Sequence, residues 1–449
     1  MTLDEIIDHI LMDRLDGAES GLSQASPRDP VLLEWVRRAA SHPKPLAAFV
    51  ADLPAHVAIH PSYTCNIGCR MCITGFQTQT SLYGDYKYFL PEQFQEVQPW
   101  VRSGTHVFFV GTGETMDSPY IFDYVASLED KVTVVTTSGA PLTRGKIQRL
   151  IEAGLNILNI SFDGRTSVGH GHGREAYIKN IWRKIDLIRQ IRDELAVGHP
   201  VVGLHVTVNR ENLADLESLF HDAWSRGIYD ILLLPMTVSN DAGEVDPVLF
   251  EKSIGTDFAG CRDVLNTLMD RWSGRGMRLK VHEYPKLREA NSACTYVDNV
   301  LQIHGAKDRP TICCGSIELP LAFAGVSPDA YWNSFPLRYF RFLHFTAPRK
   351  DLPRECQECW VMHPGIYYEA CRNTLAGRPP ARGIYPAYQR ASLLQRQNRL
   401  DPARRGFEWV IRNHAPDELK GNAYFHLAEM EMRTDSTARA SISGDVGSG

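Results

Sequence analysis

HVAIHPSYTCNIGCRMC, residues 56–72, joins a short β-rich run to a loop that carries three cysteines. The run HVAIH (56–60) is apolar at its centre and is followed at once by a polar loop, the pattern of a strand that ends at a site. Cys65, Cys69 and Cys72 stand on that loop with three and then two residues between them. Three thiolates on one short loop can each bind an iron of a cubane cluster, which leaves the fourth iron without a protein ligand. A vacant coordination position is what a metal needs if it is to bind a small molecule, as catalytic zinc sites also illustrate. The competing reading is a zinc knuckle completed by a fourth ligand such as His56 or His60.

Outward from this stretch, β-rich runs alternate with helical patterns. The further runs are THVFFVG (105–111), KVTVVTTSG (131–139), NILNISFDG (156–164), VVGLHVTVN (201–209) and DILLLP (230–235). Between them lie the helical stretches LTRGKIQRLIEAGL (142–155) and AYIKNIWRKIDLIRQIRDEL (176–195). Apolar strands separated by helices imply a parallel sheet with covered faces, an α/β fold. Six visible strands leave open whether the sheet closes into a barrel or stops as a partial one.

The 449 residues allow a large domain with attachments, and a hydrophobic content of 43%, a charged content of 22% and a net charge of -5 describe an ordinary globular protein. That charge gives no footprint for nucleic acid or an anionic membrane. No apolar run approaches the roughly 20 residues that span a bilayer, and acids interrupt the N-terminus, so a cytoplasmic location is expected. In a reducing compartment the ten cysteines are expected in metal binding or catalysis and not in disulfides.

In a parallel α/β fold the site lies at the carboxyl ends of the strands. There stand Gly111-Thr112-Gly113-Glu114, Thr137-Ser138-Gly139, Ser161-Phe162-Asp163-Gly164 and Asn209. Each alone reads equally well as a turn residue. In this order behind a Cys-x3-Cys-x2-Cys triad, however, they resemble the radical S-adenosylmethionine (SAM) superfamily over about residues 56–240. Met71 stands where the family commonly has an aromatic residue, and Thr112 where it has a second glycine. The resemblance implies a partial (β/α) barrel in which Cys65, Cys69 and Cys72 hold a [4Fe-4S] cluster. SAM would then lie beside Gly111, Gly113, Glu114, Ser138, Ser161, Asp163, Asn209 and an arginine, Arg174, whose alternative reading is a surface ion pair.

Six cysteines follow: Cys294, Cys313, Cys314, Cys356, Cys359 and Cys371. Their spacing, with Trp332-Asn333-Ser334-Phe335 between the pairs, resembles the twitch or SPASM extensions of the superfamily. It implies an auxiliary [4Fe-4S] cluster on Cys294, Cys314, Cys356 and Cys359, with Cys313 the rival of Cys314. A structural zinc ribbon is the alternative. Cys261 reads as a small buried hydrophobe on a helix. The stretch from about Gln389 resembles a tetratricopeptide unit, too short for a solenoid, and reads as a helical cap or a docking surface for a protein partner. The expected organisation is a helical lead-in (1–50), the core (51–285), a small Cys-rich α+β domain (286–380), a short helical tail (381–435) and a disordered end (436–449).

The resemblance implies reductive cleavage of SAM to a 5′-deoxyadenosyl radical, fed by a flavodoxin- or ferredoxin-type donor. Hydrogen abstraction from a substrate then leads to dehydrogenation, dehydration or epimerisation. Twitch-type relatives in antibiotic biosynthesis point to a small hydroxylated or amino-sugar-like substrate, with peptide modification as the alternative. A zinc-stabilised interaction module is the reading from outside enzymology.

Overall fold

The computed structural model describes residues 52–65, 67, 69, 71–72, 86–111, 113–164, 174–239, 245–281, 294, 296–303, 327–333 and 364–376, with positions 337, 338, 340, 341, 344, 356, 359, 404, 407, 408 and 427. The lead-in, the tail and most of the expected helical cap lie outside these residues. The chain divides into one unit of residues 1–237 with 248–369 and a second of 238–247 with 370–449. The sheet and the site residues described below belong to the first.

Eight strands form one sheet: β1 (His56–Ile59), β2 (His106–Phe109), β3 (Val132–Thr137), β4 (Ile157–Ser161), β5 (Val201–Val208), β6 (Asp230–Pro235), β7 (Arg278–Val281) and β8 (Val300–Ile303). Their order is β7-β6-β5-β4-β3-β2-β1-β8, and every pairing is parallel. β7 and β8 are therefore edges, and the sheet is an open, partial (β/α) barrel, which resolves the question that six strands left open. β7 and β8 were not visible as runs in the sequence, and β8 comes from beyond residue 285. It pairs with β1, register His56 to Val300, and so flanks the cysteine loop.

The two faces of the sheet differ sharply. With side chains alternating, Val57, Ile59, Val107, Phe109, Val135, Leu158, Ile160, Leu204, Val206, Ile231, Leu233, Leu301 and Ile303 share one face, and all are buried. Helices cover that face: Ile181, from the helix Arg174–Leu195, meets Ile160 of β4 around Gly139. Burial of such a side chain stabilises by about 1.5–3 kcal/mol, so this face holds the sheet together. The helix Arg144–Glu152 begins where Thr143 accepts a hydrogen bond from the Lys146 N–H (3.3 Å). Cys261 is buried on the helix Phe258–Ser273, as expected of a small hydrophobe.

The register carries a mixed set to the opposite face: the polar His56, His106, Thr136, Asn159, Ser161, His205, Thr207, Lys280 and Gln302 stand there among Ala58, Phe108, Val132, Val134, Ile157, Leu232 and Leu234. The interior of a closed barrel is filled by branched apolar residues, whereas here polar side chains alternate with apolar ones. The sheet also curls toward it. Five strands separate β1 from β7, which in a flat sheet would put them roughly 29 Å apart. Yet the charge of Lys280 on β7 is felt at His56 on β1.

Candidate active site

The cysteine loop leaves β1 through His60, Pro61 and Ser62 and is tied to the loop that follows β2. The Gly113 N–H donates to the Ser62 carbonyl (3.1 Å), and the Glu114 N–H donates to the Thr64 carbonyl (2.9 Å). These bonds explain Gly113. A Cβ there would lie 2.5 Å from the Thr64 oxygen and 2.7 Å from that of Ser62, so only glycine permits the contact. Gly111 is in a similar position, since a Cβ on it would meet the His60 imidazole at 2.2 Å. Within the loop the Cys72 N–H donates to the Cys69 carbonyl (3.1 Å).

Glu114 is buried and ties three segments together. Its Oε1 accepts from the Met116 N–H (3.0 Å) and Thr137 Oγ1 (2.5 Å), and its Oε2 from the Ser138 N–H (2.9 Å) and Ser138 Oγ (2.6 Å). A carboxylate has about four acceptor positions. All four here are taken by protein donors, so Glu114 acts as a bracket between the strand ends of β2 and β3. Thr137 and Ser138 are the partners that this bracket requires. Thr137 stands in the strand-end triplet read from the sequence, of which only Ser138 was expected beside SAM.

A second bracket joins β4 to β5. Asp163 is buried and its Oδ1 accepts from the Thr207 N–H (2.7 Å). Asn212 Nδ2 donates to the carbonyls of Asp163 (3.2 Å) and Thr207 (2.8 Å). Asn209 follows β5 as a helix cap, its Oδ1 accepting from the N–H groups of Glu211 (2.9 Å) and Asn212 (3.1 Å). It is fully buried, and its Nδ2 has no hydrogen-bond partner among the described residues. Ser161 ends β4 and is exposed. Arg174 opens the helix Arg174–Leu195, and its side chain lies outside the described residues.

The three thiols feel one another. Burial first, then Cys72, Cys65 and Asp163, push Cys69 up to about 12. Cys65 is raised by burial, with Glu114, Cys72 and Asp117 adding to it. Among the described residues no three His, Cys, Asp or Glu side chains gather about a single ion position. A cubane binds each thiolate through a different iron, so its ligands stand farther apart than those of one ion. The donor set, the unpartnered Asn209 amide and the close-packed Gly113 backbone fit a cluster with a small polar ligand at the strand ends.

Of the second cysteine set, Cys294 is buried, while Cys356 and Cys359 are half-buried and joined by a Cys359 N–H to Cys356 carbonyl bond (3.5 Å). Cys313 and Cys314 lie outside the described residues. Beside these, Trp332 Nε1 donates to the Asp52 carbonyl (2.8 Å), and the buried Arg341 donates to the carbonyls of Val297 (3.1 Å) and Trp332 (2.9 Å). The segment after β8 is thereby fastened to the start of β1.

Comparison with known proteins agrees with this geometry. Residues 59–223 match the family model of the Radical SAM superfamily. It is 26% identical over 204 residues to the tungsten-containing aldehyde ferredoxin oxidoreductase cofactor-modifying protein of Pyrococcus furiosus. The match covers 42% of this chain and 53% of that protein, so the chain spans about half the length of this relative. Among solved structures it is similar to SuiB of Streptococcus suis bound to S-adenosylmethionine, at 14% identity and a TM-score of 0.48, covering 73% of this chain and 76% of that one. It is also similar to anSMEcpe with bound AdoMet and Cp18Cys peptide, at 13% identity and a TM-score of 0.46, covering 72% and 99%. The family implies a [4Fe-4S] cluster and SAM. No helix among the described residues is long and apolar enough to cross a membrane.

Proposed function

We propose that the chain is a radical SAM enzyme that removes a hydrogen atom from a small polar substrate lying on the inner face of the partial barrel. The observation that carries this reading is the placement of the cysteine loop, which two backbone hydrogen bonds hold against the loop after β2, at the end of the sheet where Glu114, Asp163 and Asn209 also lie. Cys65, Cys69 and Cys72 would hold the [4Fe-4S] cluster, and the ends of β2 to β5 would hold SAM. When bound, the two together supply an electron and a 5′-deoxyadenosyl radical.

The chain's own contribution is position and exclusion of water. Glu114 fixes the β2 and β3 loops, and Asp163 with Asn212 fixes those of β4 and β5. Asn209 Nδ2 is a buried donor at the strand end, suited to an acceptor atom of SAM. Gly113 lets backbone approach backbone beneath the cluster loop, and Gly111 leaves room for the His60 imidazole. Ser138 and Ser161 stand at the same ends, with Arg174 following on the next helix.

For the substrate, Asn159, Ser161, His205 and Thr207 on the inner face favour a hydroxylated or amino-bearing metabolite, which suits dehydrogenation, dehydration or epimerisation. A flavodoxin- or ferredoxin-type protein would deliver the electron. Cys294, Cys314, Cys356 and Cys359 would hold an auxiliary cluster that passes an electron to or from the substrate radical. The test is anaerobic reconstitution with iron and sulfide, followed by reductant and SAM. 5′-Deoxyadenosine should form, and Cys69→Ala should abolish it. Formation of 5′-deoxyadenosine by Cys69→Ala at the parent rate would overturn the assignment.

A further inference from the structure

The chain before Cys65 is gripped from two sides. On one side, the carbonyls of Ser62 and Thr64 take the N–H groups of Gly113 and Glu114. Pro61 and Tyr63 face the other way: the Tyr63 N–H donates to the Lys87 carbonyl (2.9 Å), and the Phe89 N–H donates to the Pro61 carbonyl (3.2 Å). Ser62 and Tyr88 form the antiparallel bridge between these two bonds. Residues 61–64 thus run as the middle of three backbone segments, with 113–114 on one side and 87–89 on the other. In the chain, all three cysteines lie between the two antiparallel partners. Pairing the ends of such a stretch narrows the conformations open to whatever lies between them.

Segment 87–89 is in turn anchored to the core. Tyr124, on the helix Ile121–Ala126, donates its hydroxyl to the Phe89 carbonyl (2.6 Å). Phe89 therefore gives its N–H to the cysteine loop and its carbonyl to the helix. Tyr124 is buried, its ring stacks on Phe94 at 4.3 Å and lies 6.4 Å from that of Phe109 on β2, and Phe89 is itself fully buried. In a close-packed interior neither side chain can swing away without opening the core. At the far end of the pairing the rings of Tyr63 and Tyr86 meet edge to face at 5.7 Å. Tyr120 offers a contrast. Its ring lies 6.1 Å from that of Tyr124, yet its hydroxyl makes no hydrogen bond among the described residues.

We propose that Tyr124 is a positioning residue for the cluster: its hydroxyl, acting through Phe89, holds the base of the cysteine loop at the strand ends. This rests on the reading that Cys65, Cys69 and Cys72 hold the cluster, and it adds a residue outside the ligand set. Three ligands carried by one loop are disturbed together when the base of that loop moves. Without the Tyr124 hydroxyl, the Phe89 carbonyl is left buried with no donor, and a buried acceptor in that state is costly. Segment 87–89 would then shift to satisfy it and draw Pro61 and Tyr63 along through their paired backbone. Removing the hydroxyl alone leaves the ring packing in place, so the effect is confined to this line of contacts.

The test compares the anaerobically reconstituted full-length parent with Tyr124→Phe, and with Tyr120→Phe as the control. Each is exposed to an iron chelator, and the SAM-responsive part of the reduced electron paramagnetic resonance signal is followed over time. Amide hydrogen exchange of the metal-free proteins is followed in parallel. Tyr124→Phe should lose its signal about two- to tenfold faster than the parent, the range that one buried hydrogen bond supports. Peptides spanning 61–64 and 87–89 should exchange faster by a comparable factor, while those of β4 and β5 should not change. Tyr120→Phe should match the parent in both measurements. Signal decay and exchange at the parent rates in Tyr124→Phe would overturn the proposal. So would faster exchange spread evenly over the sheet, which would make the hydroxyl a general support of the fold. A parent with no SAM-responsive signal would overturn the cluster reading and this proposal with it. A parent that has one, beside an unaffected Tyr124→Phe, would overturn this proposal alone.

Discussion

At the scale of single residues, the two acids expected beside SAM, Glu114 and Asp163, accept hydrogen bonds from the protein itself. Glu114 accepts four hydrogen bonds from Met116, Thr137 and Ser138. Its substitution by Gln turns one acceptor oxygen into a donor facing donors, and leaving buried partners unsatisfied costs about 1–3 kcal/mol. Glu114→Gln should therefore lower the unfolding free energy by about that amount in urea titrations, and should weaken SAM binding only through the displaced loops. Unchanged stability with lost SAM affinity would instead make Glu114 a direct ligand contact. Gly113→Ala gives the complementary result. Its Cβ would press on the carbonyls of Ser62 and Thr64, backbone atoms that cannot turn aside. The variant should fold yet retain less iron after reconstitution, measured as iron per chain. Full iron content would show that the cysteine loop tolerates the displacement. The identity of these residues was legible from strand-end position, whereas the direction of their hydrogen bonds was not, because a carboxylate after a strand looks the same whether it faces a ligand or a neighbouring loop.

At the scale of elements, six of the eight strands were legible because each has a core of β-branched or apolar residues between polar ends. β7 was hidden for a physical reason: RLKV puts Arg278 and Lys280 on the inner face at the sheet's edge, so its apolar content is two residues. β8, VLQI, is short and lies in a stretch where Cys and Pro obscure the pattern. The polar inner face was written in the sequence as well, at alternate positions of β2, β4 and β5. It became readable only when the register showed that those positions share one side. The curl of the sheet has a pH signature. His56 titrates below its ordinary 6.5, chiefly because it is buried and then because His106 and Lys280 lie near. A histidine held below its unfolded value binds its proton less readily in the fold, so this contribution to stability is present above pH 6.5 and is lost as the pH falls through the folded value. His56→Gln should flatten the decline of stability below pH 6.5, measured by denaturation across pH 5–7. An unchanged slope would show that His56 is not held below its unfolded value in the fold.

At the scale of the whole molecule, a match to the Radical SAM family model, an open parallel sheet and a cysteine loop at its carboxyl end meet in one chain. The two brackets, Glu114 across β2 and β3 and Asp163 with Asn212 across β4 and β5, make four separate strand ends behave as one surface. Burial, then Cys72, Cys65 and Asp163, raise the Cys69 thiol, so a cluster assembled on it would have to displace its proton. The most direct measurement is the electron paramagnetic resonance of the anaerobically reconstituted, reduced protein with and without SAM, set beside the variant in which Cys65, Cys69 and Cys72 are all alanine. The account predicts a reduced [4Fe-4S] signal in the parent whose g-values move when SAM is added. In the triple variant, any signal remaining from a cluster on Cys294, Cys314, Cys356 and Cys359 should not respond to SAM. A parent protein that holds zinc and gives no iron–sulfur signal, or a triple variant whose signal still shifts with SAM, would contradict it.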